Sequence, residues 1–192
     1  MRSSHLSSLL SALMLVACGG AAAETTTTTT TTTTPLETTG TTAVGLSVSG
    51  SVSNFGEASL SGGFLPDPHV VSVVSGADAS SAVNIDGLGI TPENAAGNCT
   101  GFATSQPDFI LHYDSPAAML RFFVTAPGDT TLVINDGAGH WWCSDDDGGN
   151  LNPMVDVTGA PAGQYDIWVG SYEAGANIQS VLSISELESA HP

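Results

Sequence analysis

The residues best suited to chemistry lie in one acidic, glycine-rich stretch, residues 144–153, which follows a predicted Trp-Trp-Cys strand. Calcium is bound by about six to eight oxygen atoms from carboxylates, amides and carbonyl groups. This stretch offers such oxygens on a backbone loosened by paired glycines: Asp145, Asp146, Asp147, Asn150 and Asn152. We therefore predict a calcium loop here, with calcium as the candidate cofactor.

The spacing is not that of an EF-hand, because the D-x-D-x-D-G pattern and its closing Glu are missing. The fold would have to bring in a further acidic residue, for which Asp136 and Asp67 are the candidates. Two other interpretations stay open: an acidic turn that is simply solvated, and a site for another metal.

Aromatic residues suggest a second kind of binding surface. Alternate residues of a strand point to opposite faces, so Trp168 and Tyr172 share one face if residues 165–172 are a strand. These two residues, or one of the adjacent Trp141 and Trp142, would form a platform on which a sugar ring stacks. The competing interpretation is that they pack in the core, since aromatic side chains dominate burial in small domains.

Motifs for catalysis are missing from the sequence. It contains no G-x-S-x-G, and His69, His112 and His140 have no recognisable partner motif. No close His or Cys pair favours zinc. Two carboxylates for glycoside hydrolysis would have to be brought together by the fold, because their separation in space decides that chemistry. We expect a protein that is not an enzyme.

Charge narrows the choice of partners. The chain has 19 Asp and Glu against 2 Lys and Arg, a formal net charge of −17. Such a chain cannot release counterions from phosphates, which excludes nucleic acid as a binding partner. It is also not attracted to anionic lipid headgroups. Cations are the small partners that this charge favours.

The amino terminus predicts export. The apolar run at residues 9–16 is shorter than the roughly 20 residues of a membrane span, so residues 1–17 are predicted to be a signal peptide. The sequence Leu-Val-Ala-Cys at residues 15–18 resembles the bacterial lipobox, which implies cleavage before Cys18 and its acylation. Glycines after Cys18 favour the outer membrane, facing the periplasm or the surface. The alternative is an ordinary signal cut near residues 21–23.

Residues 18–43 are predicted to be a disordered tether. They include ten consecutive threonines, residues 25–34, and offer almost no apolar surface to offset the entropy of ordering. The tether would act as a spacer between the acylated Cys18 and the folded domain. Its hydroxyl groups are also candidates for O-glycosylation.

Residues 44–192 are predicted to fold as one all-β domain. Apolar residues alternate or cluster in short runs separated by Gly, Pro and Asp, and no segment shows a sustained helical period. The predicted strands are residues 44–48, 70–74, 109–113, 119–125, 130–135, 154–157, 165–172 and 178–184. About eight or nine short strands are typical of a β-sandwich.

Cys99 and Cys143 are the remaining cysteines of this domain. In an exported protein an isolated pair most simply forms a disulfide, which would contribute on the order of 4 kcal/mol by closing the loop between them. A reactive or metal-binding thiol is the alternative, although no C-x-x-C spacing supports it.

An ordered series of segments resembles the pre-peptidase C-terminal family of bacterial exported proteins. The resemblance covers residues 55–187, and the segments that carry it read GFLPDP, CTGF, QPDFILHY, DTTLVIND, WWCSDDDGGNLNP and GQYDIWVGSY. The resemblance implies a jelly-roll-like β-sandwich with its two cysteines paired, of a kind often appended to secreted enzymes. No protease domain accompanies it in this chain.

Together these patterns predict a lipid-anchored, non-enzymatic β-sandwich with a binding or structural role. Its predicted contacts are the membrane, through acylated Cys18, and a polysaccharide or an envelope protein. A carbohydrate-binding module that uses exposed aromatics is the alternative. An accessory domain related to secreted peptidases, or an unrecognised hydrolase, is a further one.

Overall fold

A computed structural model describes residues 45–94 and 99–192. The signal peptide, acylated Cys18 and Thr-rich tether predicted above lie outside these residues. The described chain is all-β, with one three-residue 3₁₀ helix at Asp86–Leu88. It contains no helix of the length and hydropathy needed to cross a membrane.

The described residues form eleven strands. These are β1 Glu57–Leu60, β2 His69–Ser75, β3 Val83–Asn84, β4 Phe102–Ala103, β5 Phe109–Tyr113, β6 Met119–Thr125, β7 Thr130–Asn135, β8 Trp141–Ser144, β9 Met154–Thr158, β10 Gly163–Ser171 and β11 Ile178–Ser185.

The strands make two sheets. Sheet A is built around β10, which pairs with β5 and β7; β1 lies parallel to β5, β8 pairs with β7, and β4 links the end of β10 to β3. Sheet B is the antiparallel series β2-β11-β6-β9. The predicted all-β sandwich is confirmed.

The main hydrophobic core lies between the two sheets. Alternate residues of β10 point inward, and Tyr165 and Ile167 belong to the same buried cluster as Phe122 and Leu182 from sheet B. The rings of Phe122 and Tyr165 stack with centroids 5.8 Å apart. Burying each such side chain contributes roughly 1.5–3 kcal/mol, so this interface holds the sheets together.

The outer face of sheet A is also covered. Trp168, Val133 and Cys143 point outward and form a second buried cluster with Leu46 and Ile85. Leu46 is completely buried although residues 45–50 form no strand, which corrects the prediction of a strand at residues 44–48. That segment is held by isolated hydrogen bonds, such as the one from Ser47 N to the Ser105 carbonyl at 2.8 Å, and not by a ladder.

The other seven predicted runs are strands, and their bounds agree within one or two residues. The Trp-Trp-Cys strand is also present, as β8. Sequence patterning missed β1, β3 and β4, which are two to four residues long. Strands so short carry no detectable alternation, and neighbouring strands fix their conformation.

Arg121 is the one Lys or Arg among the described residues. Its Nε and Nη2 donate to the two carboxylate oxygens of Asp156 on neighbouring β9, at 2.6 and 2.7 Å. Its Nη1 donates to the carbonyls of Glu188 and Ala190. The paired arginine therefore ties the carboxy-terminal segment to sheet B.

Asp108 is a fully buried carboxylate next to β5. Its Oδ1 accepts from Asn54 Nδ2 at 2.9 Å, and its Oδ2 accepts from Val169 N at 2.8 Å. Burial raises the pKa of Asp108 to about 7, against the opposing effect of hydrogen bonds from Asn54, Val169 and Thr104. The folded protein therefore binds this proton more tightly than the unfolded chain does.

The raised pKa of Asp108 predicts that the domain loses stability as the pH rises. The Asp108 contribution is fully present below the ordinary pKa of 3.8 and is lost as the pH rises through about 7. The melting temperature should fall between pH 5 and pH 8, and it should fall less for Asp108→Asn than for the wild type. An equal fall in melting temperature for Asp108→Asn and the wild type would contradict this role of Asp108.

Candidate cation site

Three carboxylates meet at one end of sheet A. One oxygen each from Asp129, Asp145 and Asp146 lies within 4.8 Å of the other two. Asp129 comes directly before β7, and Asp145 and Asp146 come directly after β8. Because β7 and β8 are antiparallel neighbours, the start of one lies beside the end of the other. We call Asp129, Asp145 and Asp146 the carboxylate triad.

Two oxygens of the triad are buried without a partner. Asp129 Oδ1 and Asp145 Oδ1 are the only shielded carboxylate oxygens in residues 45–94 and 99–192 that accept no hydrogen bond. Leaving a buried acceptor unsatisfied costs about 1–3 kcal/mol, and more when the group is charged. A bound cation would remove this penalty.

Crowding of negative charge also perturbs the triad. Burial, followed by the charges of Asp146, Asp129 and Asp147, raises the pKa of Asp145 to about 6. The pKa of Asp129 is also raised, first by burial and then by Asp146 and Glu173. Both shifts mean that these carboxylates gain from neutralisation, by a proton or by a cation.

The structure brings together two of the predicted ligands, Asp145 and Asp146, and leaves the other loop residues outside the triad. Asp147 Oδ2 accepts a hydrogen bond from Ser144 Oγ at 3.0 Å. Asn152 is buried, and its Oδ1 accepts from Ala126 N at 2.9 Å. Asn150 is exposed, in the left-handed region at φ 55°, and its carbonyl accepts from Asn152. These three residues shape the loop.

The prediction that Asp136 or Asp67 completes the site is corrected. Asp136 follows the far end of the six-residue strand β7, so it lies seven residue steps from Asp129, or roughly 23 Å at about 3.3 Å per residue. Asp67 instead accepts from Ser185 Oγ, beside sheet B. Asp129, which the sequence does not single out as a ligand, supplies the third carboxylate.

The predicted aromatic platform is also corrected. Trp168 is 0% exposed and lies in the buried cluster on the outer face of sheet A. Trp142 is 8% exposed and lies in the main core. Tyr172 is 50% exposed, and its backbone N donates to the Asp129 carbonyl at 3.2 Å. Of these three residues, Tyr172 alone is more than a tenth exposed, and it lies beside the triad.

A disulfide lies beside the carboxylate triad, at the same end of sheet A. Cys99 and Cys143 are bonded, which confirms the predicted pairing. Cys143 lies on β8 two residues before Asp145. A cavity of about 480 Å³ lies here, lined by Cys99, Asp145 and Tyr172 among others. The disulfide therefore holds residue 99 against the strand that presents Asp145.

The origin of the raised pKa of Asp145 can be tested with Asp146→Asn. Removing the charge of Asp146, whose effect on Asp145 is second to that of burial, should move the pKa of Asp145 down from about 6 toward its ordinary value of 3.8. Carboxyl ¹³C NMR titration in EDTA measures this shift directly. Asp114→Asn, at a distant exposed site, is the control and should leave the Asp145 titration unchanged; equal effects from both variants would contradict the arrangement.

Comparison with known proteins supplies no ligand for the triad. No family model, no curated protein and no solved structure matches this chain. The resemblance to the pre-peptidase C-terminal family stays a prediction, and the chemistry of the site rests on the residues described above.

Proposed function

We propose that this protein is a lipid-anchored, non-enzymatic β-sandwich module that is stabilised by calcium bound at the carboxylate triad, and that its role is binding or structural. The observation that carries the proposal is the pair of shielded, unpartnered oxygens of Asp129 and Asp145 within 4.8 Å of Asp146. Calcium at this point would neutralise charge and tie the β6–β7 turn to the β8–β9 loop.

The donor set favours a hard cation. All three groups are carboxylates, and neither a histidine nor a thiolate belongs to the triad. Calcium and magnesium prefer oxygen ligands, whereas zinc and copper prefer nitrogen and sulfur. Calcium tolerates irregular ligand geometry better than magnesium does, which suits ligands from a turn and a loop. Water and backbone carbonyls would complete the coordination.

Three histidines on or beside the strands contact an aromatic ring or a carboxylate. The ring of His69 packs against Phe109 with centroids 5.9 Å apart. His112 Nε2 lies 3.2 Å from an exposed carboxylate of Glu57. His140 Nδ1 lies 3.3 Å from Asp136. Each contact gives its histidine a neighbour other than a hydroxyl or thiol nucleophile.

The anchoring part of the proposal rests on the lipobox-like residues 15–18 and the short apolar run before them. Several acyl chains on Cys18 would hold the protein at a membrane almost irreversibly, since each buried CH₂ contributes about 0.8 kcal/mol. The Thr-rich residues would then carry the module away from the lipid surface.

Calcium should raise the melting temperature of the wild-type protein relative to EDTA. Ligand linkage gives about 2.7 kcal/mol of stabilisation at a hundredfold excess of calcium over Kd. Asp145→Asn should lose most of this gain, because it removes a carboxylate with a buried oxygen. Asp147→Asn, a matched change in the same loop, should keep most of it.

Differential scanning calorimetry with each variant in EDTA and in millimolar calcium measures both effects. No calcium-dependent shift in the wild type would contradict the proposed site. A shift lost in Asp147→Asn and kept in Asp145→Asn would contradict the assignment of ligands to the triad.

Lipidation can be tested separately from calcium binding. In a bacterial host, metabolic labelling with a palmitate analogue should modify the wild-type protein and direct it to the membrane fraction. Cys18→Ser should remain unlabelled, because the acylated atom is the Cys18 thiol. Equal labelling of Cys18→Ser and wild type, or an unlabelled wild type, would contradict anchoring at Cys18.

A further inference from the structure

A second cavity, of about 550 Å³, opens on the side of the sandwich, away from the triad. It lies where β8 of sheet A approaches β9 of sheet B. Its lining includes Glu93, Asp136, His140, Trp142, Asp156 and Thr158. We call this cavity the side cleft.

The side cleft is negatively charged. Glu93, Asp136 and Asp156 contribute three carboxylates, and neither Lys nor Arg is among the lining residues. Arg121 reaches Asp156 from sheet B and neutralises that one carboxylate. Two negative charges remain to attract a cationic group.

The geometry of the cleft floor is fixed. Asp136 is 3% exposed, and its Oδ1 accepts from the backbone N of Ala138 and of His140, each at 2.9 Å. Its Oδ2 accepts from Trp142 Nε1 at 3.0 Å. Where His140 Nδ1 donates to this carboxylate, His140 Nε2 is left as an acceptor. The floor of the cleft therefore holds the Asp136 carboxylate, and its negative charge, in a fixed position.

The two strands that border the cleft differ in how far their outer edges are hydrogen-bonded. The outer edge of β8 is closed, because Glu93 N donates to the Trp141 carbonyl at 2.8 Å and the Asn94 side chain bonds Cys143 N and O. β9 pairs with β6 on one side, and no strand in the described ranges pairs with its other side. An unpaired edge can accept an extended chain as an additional strand.

We propose that the side cleft binds an extended, cationic segment of a partner protein. The segment pairs with the open edge of β9, where Asp156 and Thr158 border the cavity, and places a Lys or Arg side chain near Glu93 and Asp136. A second copy of this chain does not match, because Arg121 is its one described Lys or Arg and is already paired. This inference is independent of calcium at the triad.

The probe is a hexapeptide of alternating lysine and threonine, titrated into the full chain in EDTA at low salt and followed by isothermal calorimetry. Saturable one-to-one binding is expected, with no binding of the peptide in which glutamine replaces lysine. An analogue methylated on alternate backbone nitrogens should bind more weakly, because it cannot pair fully with β9.

Glu93→Gln is expected to weaken lysine-peptide binding by up to about fivefold, the upper end for one solvent-exposed ion pair. The matched control is Glu57→Gln, an exposed change on β1 at the opposite edge of sheet A, which should leave binding unchanged. Absence of binding, equal binding of the glutamine peptide, or equal weakening by both variants would overturn the proposal. Undiminished binding of the methylated analogue would overturn the strand pairing.

Discussion

Buried carboxylates in this domain are held by hydrogen-bond donors, because positive charges are almost absent. All but two of the chain's 19 acidic residues, Glu24 and Glu37, lie in the described ranges, together with one arginine. Asp136, Asp108 and Asp166 are nearly or fully buried, and each accepts at least one backbone N–H. Each of these bonds ties a loop or terminal segment to sheet A. Acidity therefore serves the fold itself, since carboxylates are strong acceptors.

The carboxylate triad differs from these three carboxylates, because its buried oxygens have no hydrogen-bond donors. Asp129 Oδ1 and Asp145 Oδ1 are shielded but lack donors, and a third carboxylate adds repulsion. A cation at this point would play the part that backbone N–H groups play for Asp136. The same excess charge makes the side cleft suited to a cationic partner. The excess of carboxylates over positively charged side chains thus accounts for the hydrogen bonds of the buried carboxylates and for both proposed partners, a cation and a cationic segment.

Sequence patterning predicted the sandwich well because alternation reports which strand residues are buried. It also identified the loop that carries Asp145 and Asp146, and the cysteine pair. It missed Asp129, whose position depends on the pairing of β7 with β8. It misplaced Trp168 because alternation separates two faces but does not reveal that the outer face is covered by segments such as residues 45–50. Both errors concern tertiary contacts between distant segments.

A crystal structure determined in millimolar calcium, with the anomalous signal of the ion, tests the central claim most directly. We expect one ordered calcium with carboxylate oxygens of Asp129, Asp145 and Asp146 at about 2.3–2.6 Å. Crystals of Asp145→Asn grown in parallel should lack this peak. An anomalous peak elsewhere, or none beside the three wild-type carboxylates, would contradict it.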